Sequence, residues 1–285
     1  MESFEITLIP QACTDTGKAR IAKAKAKAMS MNALGVRIAT FSATSSGVTE
    51  SDDLNPTKEL NAMVLGNTLV GYGDNITLEN MTIIDNLIKF SKFIADQELK
   101  DSTSVSPATW HGEFLQCMVD MGCSVPISSS VEFRKRNLSG TMKNVVTTIV
   151  KAGVDAAKAA IPGATVLSAV ADSTIAALEK NPDTINVFNY EVTKTKGVKL
   201  AILPCEQAKN GLIIISCSSV NYEGDKVGGG VLFFDLQVNN LDIYQGSTFL
   251  VFNPAAYAEV KDDIEHILKQ HRRAVLAKRF PRRLA

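Results

Sequence analysis

Beyond Asp183 the apolar positions change from mainly helical spacing to strand-like runs, before a last helical stripe near the C-terminus. Between residues 78 and 97, Met81, Ile84, Leu87, Ile88 and Ile94 recur three or four apart, which predicts an amphipathic helix. Met142, Val145, Val146, Ile149, Val150, Gly153, Val154, Ala157, Ala160 and Ile161 form a longer stripe, stopped by Pro162-Gly163. Val166, Leu167, Val170, Thr174, Ile175 and Leu178 form the next, closed by Asn181-Pro182. These two stripes predict a helical hairpin over residues 140–161 and 164–181, dense in Ala and Val. Trp110, Phe114, Leu115 and Met118 predict a short helix ending near Gly122.

Two Asn-Pro pairs read as helix starts, with Asn as cap and Pro at the first helical position. Asn55-Pro56 precedes Leu60, Met63, Val64 and Asn67 at helical spacing. Asn253-Pro254 precedes the stripe Tyr257, Val260, Ile264, Ile267, Leu268, His271 and Val275. Residues 18–29, Ala-rich with Lys18, Arg20, Lys23, Lys25 and Lys27, read as a basic helix or a frayed arm. Residues 42–53, rich in Ser, Thr, Gly and Asp, read as a loop.

Strand patterns cover residues 4–10, where Phe4, Ile6 and Leu8 alternate, and residues 36–41, 185–193, 198–203, 212–219, 231–238 and 249–252. Turns such as Lys209-Asn210-Gly211 and Gly228-Gly229-Gly230 separate the later runs, and connections this short favour antiparallel neighbours. Residues 212–215 and 231–234 are apolar on both faces, so the sheet should be covered on both sides. The expected architecture is one α/β (α+β) domain over residues 1–285, a mainly antiparallel sheet wrapped by helices.

Composition supports a globular chain: 285 residues, 45% hydrophobic and 21% charged. A net charge of zero argues against a generally basic nucleic-acid binder. That balance conceals a basic tail, residues 269–285. Lys269, Arg272, Arg273, Lys278, Arg279, Arg282 and Arg283 fall there with no acid among them, so the rest of the chain is net acidic. No apolar run approaches the ~18 residues of a membrane span. Residues 1–10 lack the charge and apolar pattern of a signal peptide, so any export is expected to use another route. Five dispersed cysteines (Cys13, Cys117, Cys123, Cys205, Cys217) do not suggest a disulfide framework.

No enzyme or metal motif stands out. His266 and His271 are five apart, a poor spacing for a metal pair on a helix. Cys117 and Cys123 lack Cys-x-x-Cys spacing, and His111 beside them reads more simply as core than as the base of a nucleophile pair. Gly228-Gly229-Gly230 leads into a strand, whereas a phosphate loop needs a helix N-terminus. The carboxylate pairs Asp52-Asp53 and Asp262-Asp263 read as solvated surface. The central helix pair can serve as ordinary core against the sheet, or can dock there and later exchange the sheet for lipid.

Residues 140–252, a helical pair followed by NVFNYEVTKTKGVKLAILPCEQAKNGLIIISCSSVNYEGDKVGGGVLFFDLQV, resemble the Cyt-type cytolytic δ-endotoxins. The matching positions are Ile215-Ser216-Cys217 and Val231-Leu232-Phe233-Phe234. In length the chain also resembles the Evf-like, palmitoylated bacterial virulence factors. The resemblance implies a three-layer, Cyt-like fold and a toxin-like virulence protein that acts on host (insect gut) membranes without catalysis. It implies no cofactor beyond a palmitate held to one cysteine by a thioester. The implied partners are membrane lipids, with a monomer in solution and oligomers reserved for the membrane. Cys205, read as lying past the end of a strand at a sheet edge, is the first candidate for the acyl group. Cys217, mid-strand and facing a helix–sheet space, is the second. The seven basic residues of the tail are the candidate membrane contacts. A module whose lipid only fills its core, or an enzyme using Cys117 or Cys205, are the competing readings.

Overall fold

Three long strands carry the centre of the sheet: β4 (Val198–Gln207), β5 (Ile213–Glu223) and β6 (Asp242–Phe252). In the computed structural model they are antiparallel neighbours, and β1 (Asn61–Leu65), β2 (Thr68–Tyr72) and β3 (Arg134–Arg136) extend the sheet to six strands in the order β1-β2-β4-β5-β6-β3. The structure describes residues 12–33, 61–65, 68–99, 107–124, 134–136, 141–161, 164, 166–180, 198–223 and 242–279, less residues 162–163 and 165. The strands expected at residues 4–10, 36–41, 185–193 and 231–238, and the loop at 42–53, lie outside the described residues.

The sheet is mixed. β2 and β4 run parallel, with Tyr72 level with Cys205, while every other pair is antiparallel. A parallel pair needs a long crossover. Here it contains α2 (Leu78–Glu98), α3 (Pro107–Asp120), α4 (Met142–Ala160) and α5 (Leu167–Lys180). The helix expected after Asn55-Pro56 is corrected: Asn61–Leu65 and Thr68–Tyr72 are paired strands, in a register that sets Leu65 against Thr68. Leu69 and Val70 are fully buried on opposite faces of this hairpin, a two-sided burial that helical spacing of Leu60, Met63 and Val64 cannot provide.

Side-chain alternation divides the core in two. Leu203, Cys205, Ile213, Ile215, Cys217, Leu250 and Phe252 point to one face of the sheet, where they meet α1 (Asp15–Ala33), α2, α3, α6 (Pro254–Tyr257) and α7 (Lys261–Arg279). Leu200, Ile202, Ile214, Val220, Phe249 and Val251 point to the other, against α4 and α5. Ile213, Ile214 and Ile215 are all fully buried, as a run apolar on both faces requires.

The predicted central hairpin is present in α4 and α5. On α4, Met142, Val145, Val146, Ile149, Val150, Gly153, Val154 and Ala157 are buried, and the Thr141 hydroxyl caps the helix by accepting from the Asn144 N–H. On α5, Leu167, Val170, Thr174 and Ile175 are buried, whereas Val166 precedes the helix and is exposed. The helix after Asn253 is interrupted. Asn253 Oδ1 accepts from the Ala255 N–H at 3.1 Å to open α6, and a turn separates that single helical turn from α7.

Candidate functional site

β4 does not end at Leu203. It continues through Pro204 to Gln207, between β2 and β5. Proline has no N–H to donate, and the ladder to β5 skips Leu203 and Pro204, resuming at Cys205 opposite Ile215 with the register unchanged. Ending the strand at Leu203 therefore misplaced Cys205: it is not at a sheet edge but in an interior strand, fully buried. Its thiol donates to the Leu203 carbonyl at 3.4 Å. Burial pushes that thiol well above its ordinary pKa, and the Asp85 carboxylate and Cys217 nearby act in the same direction.

Cys217 lies mid-strand as expected, paired in register with Thr248 of β6, and is also fully buried. Burial pushes its thiol up to about 12. Cys205 and Cys217 share the sheet face covered by α1, α2, α3 and α7. Cys13, Cys117 and Cys123 are buried in the same core. Burial raises all three, Cys13 to about 11 and Cys117 to about 12. The thiolate is the attacking form, so each of these sulfurs is a poor nucleophile in this state. A reagent reaches Cys205 or Cys217 only when the helices over this face move.

His111 of α3 is buried above the sheet, its Nδ1 3.0 Å from the Ser219 hydroxyl. Burial lowers its pKa to about 4, so it is neutral at physiological pH. Both partners of the Cys/His reading thus sit in a non-nucleophilic environment. Among the described residues no group of three or more His, Cys, Asp or Glu is arranged to hold a metal.

Two buried acids near Cys205 escaped the sequence reading. The Tyr72 hydroxyl donates to the Asp85 carboxylate, and both side chains are buried. Burial raises both groups, so the pair favours a neutral tyrosine and a reluctant carboxylate. Asp85 stands between Ile84 and Ile88 on the buried side of α2, a polar residue on the inward stripe, and that position was its signal. Glu206 is buried in β4 and accepts from the Val166 N–H at 2.9 Å, just before α5 begins. A carboxylate there meets the positive end of the helix.

The basic tail begins as ordered helix. Ile264, Ile267 and Leu268 fix one side of α7 in the core, while Lys269, Arg272 and Arg273 are exposed. Lys278 and Arg279 continue the same helix, and Arg282 and Arg283 lie outside the described residues. Among the described residues, no helix is long and apolar enough to cross a membrane. The basic residues of α1, by contrast, are engaged in ion pairs: Lys18 with Glu259, Arg20 with Glu113 and Asp120, Lys23 with Glu98, and Lys25 with Asp263. Residues 18–29 are therefore part of a docked helix and not a frayed arm.

No protein-family model matches the chain, and no curated protein matches it. Among solved structures it is similar to one described as the structure of the Evf virulence factor, at 11% identity and a TM-score of 0.26, over 76% of this chain and 83% of that one. This is a weak structural similarity.

Proposed function

We propose that the protein is a virulence-related, toxin-like protein that acts without catalysis, binding an anionic host membrane from one side through the cationic end of α7. The observation that carries this reading is the two-sidedness of that helix: Ile264, Ile267 and Leu268 hold it in the core while Lys269, Arg272 and Arg273 face solvent. Near an anionic bilayer each Lys or Arg is worth about 1 kcal/mol, within a Debye length of the surface. A rigid helix presents these charges without the ordering cost that a free arm would incur.

Within this reading the helices on both faces of the sheet form a three-layer, Cyt-like arrangement, and a palmitate on Cys205 or, second, Cys217 supplies an additional anchor. One acyl chain alone holds a membrane weakly, and a chain joined to a basic segment holds it stably. Both thiols being buried, acylation would have to precede closure of the helices over that face.

The test is co-sedimentation of the full chain with vesicles of phosphatidylcholine alone and with added phosphatidylserine, at low and high salt. The reading expects binding to the anionic vesicles that weakens as salt rises. Equal binding to both vesicle types, or none, sinks it. Intact mass before and after hydroxylamine, on protein from its native host, decides the palmitate separately, since a thioester adduct disappears and leaves the five thiols.

A further inference from the structure

Between Asp15 and Lys27 much of the hold on α1 is electrostatic. Within Asp15–Lys27 only Gly17, Ile21 and Ala24 are buried, whereas Ala19, Ala22 and Ala26 are exposed. α4, by contrast, buries eight residues along its length, seven of them with side chains. What α1 lacks in apolar contact it has in charge. Four of its cations reach five carboxylates spread over α2, α3 and the α6–α7 corner, and Lys27 reaches the side-chain oxygen of Gln97.

These bonds are unequal, though not in strict order along the helix: Lys18 and Glu259, near its start, are 48% and 52% exposed. At its N-terminal end the Thr14 N–H donates to the Asp120 carbonyl at 2.9 Å, and the Thr14 hydroxyl caps the helix by accepting from the Gly17 N–H at 3.0 Å. Gly17 sits so close that an added Cβ would lie 2.2 Å from that same Asp120 oxygen, and Arg20, only 16% exposed, closes on Asp120 at 2.8 Å. Farther along, the side chains of Lys23 and Lys25 are 71% and 44% exposed, and their partners Glu98 and Asp263 are 30% and 46% exposed. Beside them a cavity of about 40 Å³ separates α1 from α2, lined by Lys23, Ala24, Lys27, Phe93 and Ile94 among others. A space of that size admits water. The helix is thus pinned tightly at Asp120, and the polar contacts of Lys23, Lys25 and Lys27 are wet and screened.

This wet end lies beside the proposed membrane contact. Lys27 reaches the last turns of α2, and Phe93 of α2 packs on His271 of α7, ring centroids 4.7 Å apart, next to the exposed Arg272 and Arg273. We infer that α1 is an exchangeable cationic strap: in solution the protein's own carboxylates neutralise it, and at an anionic lipid surface it bends away beyond its Thr14–Arg20 anchor, giving up the buried Ile21 and Ala24, and transfers Lys23, Lys25 and Lys27 to lipid phosphates. The inference rests on the proposed membrane binding and adds to it a movable second cationic element and a reason for its reversibility. Exposed ion pairs are individually weak and screened by salt, so several in parallel make a hold that a denser field of anions can replace. The carboxylates left behind, Glu98 and Asp263 first, would draw the lysines back once the lipid is removed, which makes the exchange reversible.

Hydrogen exchange on the full chain tests this, with residues 15–27 compared against α4. Protection in residues 15–27 is expected to fall by about tenfold or more from low to high salt, as expected for a locally held segment, with α4 unchanged. The same selective loss is expected at low salt on vesicles containing phosphatidylserine and not with phosphatidylcholine alone. Glu98→Lys should reproduce the loss without lipid, and Lys23→Glu in that background should restore protection by reversing the pair. Salt-independent protection of α1, or failure of the charge reversal to restore it, overturns the strap even if the protein binds vesicles. A protein that binds anionic vesicles with α1 still fully protected overturns the transfer step and leaves the membrane reading standing. No binding at all overturns both.

Discussion

Gly71 of β2 and Thr174 of α5 meet where the helix lies on the sheet, so closely that a Cβ on Gly71 would fall 1.8 Å from the Thr174 hydroxyl oxygen. That hydroxyl donates to the Val170 carbonyl at 2.6 Å, so the contact satisfies its own polar group while letting helix and strand approach. The same device recurs under α4, where a Cβ on Gly153 would sit 2.6 Å from the Ser216 hydroxyl oxygen. Small residues set the distance between the central hairpin and the sheet.

Gly71→Ala should therefore destabilise the protein by overpacking, about 1–3 kcal/mol. Adding Thr174→Ala removes the Oγ1 and Cγ2 atoms that the new methyl meets and should recover part of the loss. Urea unfolding of the single and double variants decides it. A single variant as stable as the parent would mean that α5 shifts freely on the sheet.

Val150→Asp probes the same layer from its centre. Val150 is 1% exposed on α4, among the side chains that pack with Phe249 and Val251. A carboxylate there has no partner and should cost roughly 3 kcal/mol or more. An unchanged melting temperature would remove Val150 from the core.

What could be read without the structure follows from the range of the forces involved. The stripes of α2, α4 and α5 are local patterns, and a helix that buries one face displays it in sequence, so these elements appear close to their expected bounds. β1 and β2 are stabilised by a partner far along the chain, β4, and in five residues strand and helix periods are hard to tell apart. The strand expected at residues 198–203 stops short for a related reason: its continuation through Pro204 to Gln207 depends on pairing with β2 and β5. The site suffered most. Cys205 looked reachable because its strand looked finished, and the α1 ion pairs join residues as much as 241 positions apart, as Lys18 does with Glu259, where no spacing rule operates.

The buried carboxyl of Asp85 links folding to pH. Burial raises its carboxyl above the ordinary 3.8, although the Tyr72 hydrogen bond and Lys89 pull the other way. Between the unfolded value and this higher folded one, the native state binds more protons than the unfolded state. Stability then falls as pH rises through that window and levels off above it. Asp85→Asn keeps an oxygen for the Tyr72 hydroxyl and removes the titration. Denaturant midpoints followed upward from about pH 4, near the unfolded carboxyl's pKa, should decline less in the variant than in the parent. Parallel curves for the two proteins would show that Asp85 ionises in the folded state as readily as in the unfolded.

The cationic end of α7 can be removed without touching the core. Lys269, Arg272 and Arg273 are exposed, and the residues that seat the helix, Ile264, Ile267 and Leu268, are left in place when all three are changed to Ala. Alanine also favours helix, so the melting temperature should hold. At about 1 kcal/mol for each charge near an anionic surface, the triple variant should lose on the order of 100-fold in affinity for phosphatidylserine-containing vesicles at low ionic strength. Its binding to neutral vesicles should match the parent's, and the gap should narrow as salt shortens the Debye length. A gap that persists at high salt would point to packing of the Arg and Lys stems and not to their charge. Unchanged binding to anionic vesicles would move the membrane contact away from α7.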